Sequence, residues 1–371
     1  MWIGHGIRTL SAQGSRMHHG VAYALAAAAL FGASTPFAKL LTGDVAPIAL
    51  AGLLYLGSGL GLGACLAWRR IARTEAPPAG AGLGRQELPW LAGAIVAGGV
   101  CAPVLLMTGL ERVPAATASL LLNLEGVLTA ALAWFVFKEN YDRRIVLGMA
   151  LIVGAGVLLS FEAGGVPGFA PGALAIVAAC LCWAIDNNLT RKVAAADAMQ
   201  IVALKGLAAG TVNLSIAVAT GAPLPGLGAA LAAGVVGFCG YGLSLVLFVI
   251  ALRHLGTART GAYFSAAPFA GVAVSLWLLR ETPGPWFWVA TALMAAGLWL
   301  HLSERHRHAH VHEALEHSHS HRHGAADDHH RHEHAFPWEA DRPHVHRHRH
   351  QPQRHTHEHY PDLHHRHPHD S

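Results

Sequence analysis

Residues 112–139 read RVPAATASLLLNLEGVLTAALAWFVFKE, and residues 254–281 read HLGTARTGAYFSAAPFAGVAVSLWLLRE, 142 residues further along the chain. Both stretches begin at a short loop, continue through small apolar residues, and end in a basic residue followed by glutamate. Each has a helix-perturbing residue at its middle, Gly126 in the first stretch and Pro268 in the second. Duplicated membrane halves joined in opposite orientations are the construction plan of many small-molecule transporters. The repeat therefore predicts two related halves.

The composition of the 371-residue chain is not that of an ordinary soluble protein. Hydrophobic residues make up 53% of the chain and charged residues 13%, and the mean hydropathy is +0.36. The apolar part covers residues 17–302, whereas residues 303–371 are almost entirely polar. The formal net charge of +4 does not by itself indicate a nucleic-acid partner, and we expect none.

Ten apolar segments follow one another in the first 302 residues. A helix needs about 20 residues to cross ~30 Å of hydrocarbon, and each segment has roughly that length and lacks the polar face of a soluble helix. The segments cover residues 20–41, 46–68, 89–110, 114–137, 144–161, 171–190, 199–220, 228–250, 257–279 and 285–302. They predict an all-α integral membrane protein with ten transmembrane helices in two five-helix repeats.

The distribution of lysine and arginine predicts the orientation of these helices. With the N-terminus inside, thirteen basic residues fall in cytoplasmic segments, and Lys39, Arg112 and Arg280 fall in outer ones. Cytoplasmic loops of membrane proteins carry an excess of Lys and Arg. We therefore expect a multi-pass inner-membrane protein with both termini in the cytoplasm. Because five helices per half is an odd number, the two repeats must insert with opposite topology.

Several segments resemble the EamA-type transporters of the drug/metabolite transporter superfamily. LFGASTPFAKLL (30–41) and CWAIDNNLTRKV (182–193) are similar to the first helix of each half in that family. The stretch AAPFAGVAVSLWLLRE (266–281) keeps the family's proline and final glutamate, whereas the first copy departs from the pattern with Glu125-Gly126 in place of proline. The resemblance implies secondary transport, with export of a small metabolite or drug-like molecule by alternating access.

The resemblance covers residues 17–302 and implies the domain organisation. Residues 17–162 are the first EamA-like repeat, and residues 163–302 are the second. Residues 1–16 are expected to be an unstructured leader or to precede the true start at Met17. Residues 303–371 are expected to be a disordered, His-rich cytoplasmic tail.

Glu125 is the first candidate for the substrate pathway. It lies eleven residues into a helix that begins near Pro114, close to the bilayer midplane. A carboxyl group at this depth costs free energy unless it faces a protein interior or water, which makes it a functional candidate. We predict that Glu125 couples protons or binds a substrate amine, with Gly126 leaving room beside it. The alternative is a structural glutamate satisfied by a neighbouring helix through Asn123.

A second polar cluster contains Asp186, Asn187 and Asn188, with Lys205 on the next helix. Asp186 and Lys205 are expected at the same depth, ~8–9 Å from the cytoplasmic ends of their helices. An ion pair is therefore expected, either in the pathway or as a structural bridge. Asn187 and Asn188 are candidates for the lining of a cytoplasmic vestibule.

Three residues of the ninth helix complete the candidate pathway. Pro268 interrupts the helix and frees a backbone carbonyl, as breaks beside a midplane cavity do. Arg259 and Tyr263, four residues apart, share a face near the inner mouth. The sequence contains no phosphate-binding loop, catalytic triad or paired catalytic carboxylates, so an enzyme is not expected.

Residues 301–371 contain 24 of the 28 histidines, many of which alternate with another residue. Such a segment cannot bury a core, but clustered imidazoles bind Zn²⁺, Ni²⁺ and Co²⁺. Three roles stay open: metal capture or sensing coupled to transport, a pH-dependent tether to anionic lipid, and incidental metal affinity. The weak metal set consists of His306, His308, His310, His312, His317, His319, His321, His323, His344, His346, His348 and His350.

The expected partners are the lipid bilayer, a small-molecule substrate and divalent metal ions on the tail, and a homodimer is left open. No cofactor is expected to be required. The alternative functions are divalent-metal efflux (Ni, Co or Zn) and a membrane-anchored metal buffer or sensor. Efflux is disfavoured because a metal route normally needs several His, Asp or Cys ligands, and Glu125 and Asp186 are the acidic groups that the membrane part offers.

Overall fold

The computed structural model describes residues 3–72, 87–137, 143–162, 170–190, 193, 197–255 and 257–302, with four strand segments in the tail. The described helices of the first half are α1 (Ile3–Leu41), α2 (Pro47–Ala72), α3 (Leu88–Ala94), a π-helix (Ile95–Cys101), α4 (Ala102–Arg112), α5 (Ala115–Leu121), α6 (Leu124–Phe137) and α7 (Arg143–Glu162). α1 begins at Ile3, so residues 3–16 are described as helical; the prediction of a leader or of a true start at Met17 stays a prediction.

The described helices of the second half repeat this order. They are α8 (Pro171–Thr190), α9 (Ala198–Ala219), α10 (Leu227–Gly237), a second π-helix (Phe238–Leu243), α11 (Ser244–Leu255), α12 (Thr257–Phe264), α13 (Ala267–Leu278) and α14 (Pro285–Leu302). Nine described helical stretches are long and apolar enough to cross a membrane, and Pro285–Leu300 is a shorter apolar helix. The predicted all-α, multi-pass class is confirmed for the described membrane part.

The helices pack in pairs that are equivalent when the two halves are exchanged. α2 packs along α9 and α7 packs along α14, so each pair joins corresponding helices of the two halves. α1 packs on α11 and α13, and in the same way α8 packs on α4 and α6. The first helix of each half therefore lies between the third and fourth helices of the other half.

Glycines allow the backbones of α2 and α9 to approach closely. A side chain added to Gly59 would overlap the backbone of Gly206 and Leu207, and one added to Gly210 would overlap the backbone of α2. Small residues at such positions are typical of membrane helix pairs. Gly63, one turn further along α2, has no atom within 4 Å of an added side chain. Gly59 alone of these two lies in the α9 contact.

Four short segments of the tail are described as strands, and the prediction of a disordered tail stays a prediction. β1 (His306–His312) pairs antiparallel with β4 (Gln353–His359), and β2 (Glu316–His321) pairs antiparallel with β3 (His344–Arg349). The physical reason is the alternation of histidine with another residue, which has the two-residue period of a strand. The rest of the predicted disordered tail lies outside the described residues.

Candidate functional site

The fourth membrane helix of each half is broken near its middle. In the first half α5 ends at Leu121 and α6 begins at Leu124, and in the second half α12 ends at Phe264 and α13 begins at Ala267. Pro268 lies in the first turn of α13. Proline is tolerated there because the first amides of a helix have no intrahelical partner. The predicted interruption by Pro268 is therefore present as the start of a new helix.

The first half is broken without a proline. Asn123 N donates to Leu120 O at 3.0 Å, and Glu125 N donates to Leu122 O at 3.1 Å. These bonds span three residues, as in a tighter 3₁₀ turn. The Asn123 side chain also donates to Leu120 O at 3.0 Å, and asparagine competes in this way with helical bonding. The break lies just before Gly126, the residue at which the sequence predicted the perturbation.

Glu125 follows this break and faces α8. Asn187 Nδ2 donates to Glu125 Oε1 at 2.9 Å and to Thr129 Oγ1 at 3.3 Å. Asn187 is exposed and Glu125 is half-buried, while Gly126 is exposed with no atom within 4 Å of an added side chain. The space at Gly126, the residue after Glu125, is therefore open.

Asn123 does not support Glu125, although the sequence proposed it as the supporting group. Its amide nitrogen donates to Leu120 O and lies 3.6 Å from Met294 Sδ on α14. The reason is the turn at the break, which directs Asn123 back to the preceding backbone and towards α14. Asn187 provides the hydrogen bond to Glu125 instead.

Asp186 and Lys205 form the predicted ion pair. Lys205 Nζ donates to Asp186 Oδ1 at 2.5 Å and to Oδ2 at 2.7 Å, and the two side chains are 15% and 9% exposed. Thr190 Oγ1, one turn along α8, donates to Asp186 Oδ1 at 2.8 Å. Lys205 thus bonds both carboxylate oxygens, and the two buried charges neutralise each other.

The π-helix Ile95–Cys101 lies against Asp186 at Gly98, and the Gly98 carbonyl accepts hydrogen bonds from two side chains. Gly98 O accepts hydrogen bonds from Tyr55 Oη at 2.7 Å and from Trp183 Nε1 at 3.0 Å. A π-helix shifts the backbone ladder by one residue, and such segments are frequent at functional sites. Neither Tyr55 nor Trp183 was predicted from the sequence; the signal that could have indicated them is the Gly98-Gly99 pair within a membrane helix.

Asn188 is not a vestibule residue in the described structure. It is buried, and its amide donates to Ala184 O at 2.9 Å and to Thr129 O at 3.3 Å. The bond to Thr129 O joins α8 to α6, whereas the bond to Ala184 O lies within α8. Consecutive residues on a helix point in different directions, so Asn187 faces the open space and Asn188 the protein interior.

Arg259 and Tyr263 both lie on α12, one turn apart as the sequence predicted. Both residues are exposed. They precede the break at which α13 begins, whereas Glu125 follows the equivalent break in the first half. Arg259 and Tyr263 therefore lie on the segment before the break of their half, whereas Glu125 lies on the segment after the break of its half.

The chain matches the EamA-like transporter family over residues 18–161 and again over residues 170–303. The chain belongs to this family. The two matched regions correspond to the two halves that the helix packing relates to each other. As an EamA-like protein, the molecule is a multi-pass membrane transporter, and the family points to transport rather than to catalysis.

One curated relative and one solved structure extend this comparison. A protein of Methanothermobacter thermautotrophicus, named as an uncharacterized transporter, is 30% identical over 195 residues, which is 49% of this chain and 55% of that protein. The chain thus matches about half the length of this relative. A solved structure described only as the crystal structure of a protein has a TM-score of 0.55 at 22% identity, covering 77% of this chain and 95% of that one. Its similarity supports the fold alone.

The final glutamate of the second EamA-like repeat caps a helix of the first. Glu281 accepts hydrogen bonds from Ala115 N at 2.7 Å and from Ala116 N at 2.9 Å. These amides open α5 and have no partner within the helix. At the same end of the bundle Lys39 Nζ donates to Leu110 O and Val113 O. The Glu281 contact therefore links the two halves of this EamA-like transporter.

Metal ligands are sparse in the described part of the transporter. Among the described residues, no group of three or more His, Cys, Asp or Glu residues could hold a metal ion. Of the twelve predicted tail ligands, His323 and His350 lie outside the described residues, and the other ten lie in β1, β2 and β3. The predicted metal set therefore stays a hypothesis about the tail.

Proposed function

We propose that this chain is a secondary transporter that exports a small polar or amphiphilic metabolite, or a drug-like molecule, across the cytoplasmic membrane. It works by alternating access between two inverted five-helix repeats, and Glu125 couples the movement to protons. The observation that carries the proposal is the position of Glu125. The Glu125 carboxylate follows a helix break, stands next to the exposed Gly126, and accepts a hydrogen bond from the exposed amide of Asn187.

The packing of the helices supports alternating access. The contacts of α1 with α11 and α13 are repeated by α8 with α4 and α6, as expected for halves related by a two-fold axis. With α14 as the tenth span, each half contributes an odd number of spans and the axis lies in the membrane plane. The surplus of basic residues in the loops that would be cytoplasmic favours both termini inside the cell.

The test begins with the substrate. Metabolites are compared between a deletion strain and an overexpressing strain, and the compound whose export changes is then assayed in everted membrane vesicles at several values of pH. We expect wild-type transport to depend on the proton gradient. Glu125→Gln should abolish that dependence, because an amide side chain does not gain or lose a proton in the pH range of the assay. Glu111→Gln, which removes an exposed carboxylate, is the matched control. Normal export by Glu125→Gln with unchanged pH dependence would rule out the coupling role.

The second candidate function is metal buffering or efflux through the tail. The strand register favours it, because His306 lies opposite His359 and His308 lies opposite His357. Directly paired positions bring residues within about 5 Å at Cβ. A chain truncated after Leu302 should then lose tolerance to Ni²⁺, Co²⁺ or Zn²⁺. Lost tolerance with intact metabolite export indicates a buffer, lost tolerance with lost metal transport indicates efflux, and unchanged tolerance excludes both.

A further inference from the structure

Of the two carboxylates on α6 and α8, Glu125 and Asp186, one forms no described salt bridge. Lys205 donates to both oxygens of Asp186, so that pair is neutral as a unit. Glu125, by contrast, accepts a hydrogen bond from the neutral amide of Asn187, and no described lysine, arginine or histidine forms a salt bridge with it. A negative group in a region of low dielectric constant attracts a cation much more strongly than it would in water.

Aromatic rings form a continuous row beside this carboxylate. The centroids of Tyr55 and Tyr241 are 5.6 Å apart, those of Tyr241 and Phe31 are 5.9 Å apart, and those of Phe31 and Phe264 are 5.5 Å apart. These rings come from α2, the second π-helix, α1 and α12, which belong to both halves of the protein. All four residues are half-buried, so each keeps part of its surface accessible.

One face of α8 connects Glu125 to the aromatic row. Trp183 and Asn187 are four residues apart and therefore lie one above the other on the helix. Asn187 bonds Glu125, while Trp183 Nε1 lies 3.3 Å from Tyr55 Oη. The Glu125 carboxylate is also within electrostatic range of Tyr55 and Tyr241. The carboxylate and the rings therefore border one region.

We infer that the transported molecule is an organic cation with an apolar body. Its charged nitrogen would lie beside Glu125, and its apolar part would lie against Tyr241, Tyr55 and Phe31. Aromatic faces attract ammonium groups and bury apolar surface at the same time. An anion would meet the Glu125 carboxylate without a compensating base, because Lys205 is committed to Asp186. This inference rests on the proposed function, in which the region around Glu125 is the substrate pathway.

The test uses three probes of similar size and different charge: benzyltrimethylammonium, phenylalanine and phenylacetate. Binding to the purified full-length protein in lipid nanodiscs is measured by isothermal titration calorimetry, and uptake of each probe is measured in everted vesicles. We expect the cation to bind most tightly and to be taken up. Glu125→Gln should weaken its binding by roughly tenfold or more, and Glu111→Gln should leave it unchanged.

The aromatic variants test whether the rings bind the apolar part of the cation. Tyr241→Leu and Phe31→Leu should each weaken binding of the cation by roughly two- to thirtyfold, because each removes a ring face. Tyr241→Phe keeps the ring and should bind nearly as the wild type does. Thermal melting of each variant verifies that it is folded, and a Tyr241→Phe variant as weak as Tyr241→Leu would contradict a role for the ring.

The outcomes separate this inference from the proposed function. Suppose that phenylacetate or phenylalanine is transported in a Glu125-dependent way and the cation is not. The inference of a cationic substrate is then wrong, but the proposed transport function is supported. If the cation fails to bind at millimolar concentration, the inference is overturned. If Glu125→Gln also exports metabolites normally, the proposed role of Glu125 falls with it.

Discussion

Asp186 and Ser34 occupy equivalent places in the two halves, each packed against a central glycine of a π-helix. A methyl group on Gly98 would overlap the Asp186 carboxylate, and one on Gly240 would overlap Ser34. The two π-helices begin at Ile95 and Phe238, the same separation to within one residue as that of the repeated stretches. The halves therefore share this packing but not its charge, since the acidic group lies in one half alone.

This contact makes Gly98 intolerant of a side chain. Gly98→Ala should lower the thermal midpoint of unfolding, because the added methyl displaces the Asp186 carboxylate from Lys205; overpacking of this kind costs about 1–3 kcal/mol. Gly154→Ala is the control, since that helical glycine has no atom within 4 Å of an added side chain. Thermal melting of the purified protein in detergent measures both variants. Equal unfolding midpoints for the two variants would show that the π-helix accommodates the added methyl group without loss of stability.

The Asp186–Lys205 pair should behave as a unit. Asp186→Asn or Lys205→Met alone leaves a buried charge without its partner, and such a loss costs about 3–5 kcal/mol. The double variant has no unpaired charge at this site and should recover most of the lost stability. The measurement is a double-mutant cycle on the free energy of unfolding. Additive effects of the two substitutions would contradict a coupled pair.

The hydrogen bonds of Glu281 to the first amides of α5 should stabilise the contact between the two halves. Glu281→Ala removes both acceptors for Ala115 N and Ala116 N and should cost about 1 kcal/mol, the usual value of a helix cap. Glu281→Gln keeps one carbonyl acceptor and should lose less stability. Glu111→Ala, an exposed acid, serves as the control in the same thermal melts. If Glu281→Gln were as unstable as Glu281→Ala, the carboxylate charge would matter more than the hydrogen bonds.

The proposed orientation predicts opposite signals from two reporter fusions. Alkaline phosphatase, which is active outside the cytoplasm, should be active when inserted in the turn at Gly221, between α9 and α10. The same reporter fused after Leu302 should be inactive, because the surplus of basic residues places that end of α14 inside. A fluorescent protein that matures in the cytoplasm should give the reverse result. Activity at both sites would exclude the proposed orientation.

The membrane class and the approximate spans could be predicted from the sequence because they depend on local composition. Runs of about 20 apolar residues have few alternatives to a membrane helix. Apart from α1, which begins well before its predicted segment, the predicted segments coincide with the described helical stretches to within about five residues. The position of Glu125 within its helix followed from counting along the chain. The Asp186–Lys205 pair could be predicted because the two residues lie at similar distances from the cytoplasmic loop that joins their helices.

The remaining features depend on contacts between distant segments. The sequence predicted a perturbation at Gly126 but not the complete break at Leu122 and Asn123, because no proline marks it. It also did not place Tyr55 and Trp183 on the carbonyl of Gly98, since a π-helix arises from the packing around it. Asn187 rather than Asn123 bonds Glu125 because the angle between α6 and α8 decides which amide reaches the carboxylate.

The sequence by itself determined that this protein is a twofold-repeated membrane bundle with a carboxylate inside a membrane helix, because hydrophobic runs and charge counts act locally on each helix. The tertiary structure alone decided which neighbours that carboxylate has. It neutralises Asp186 with Lys205, leaves Glu125 beside open space, and gathers Tyr55, Tyr241 and Phe31 from three segments into one row. The physical reason is that pairing and exposure depend on how helices from the two halves pack.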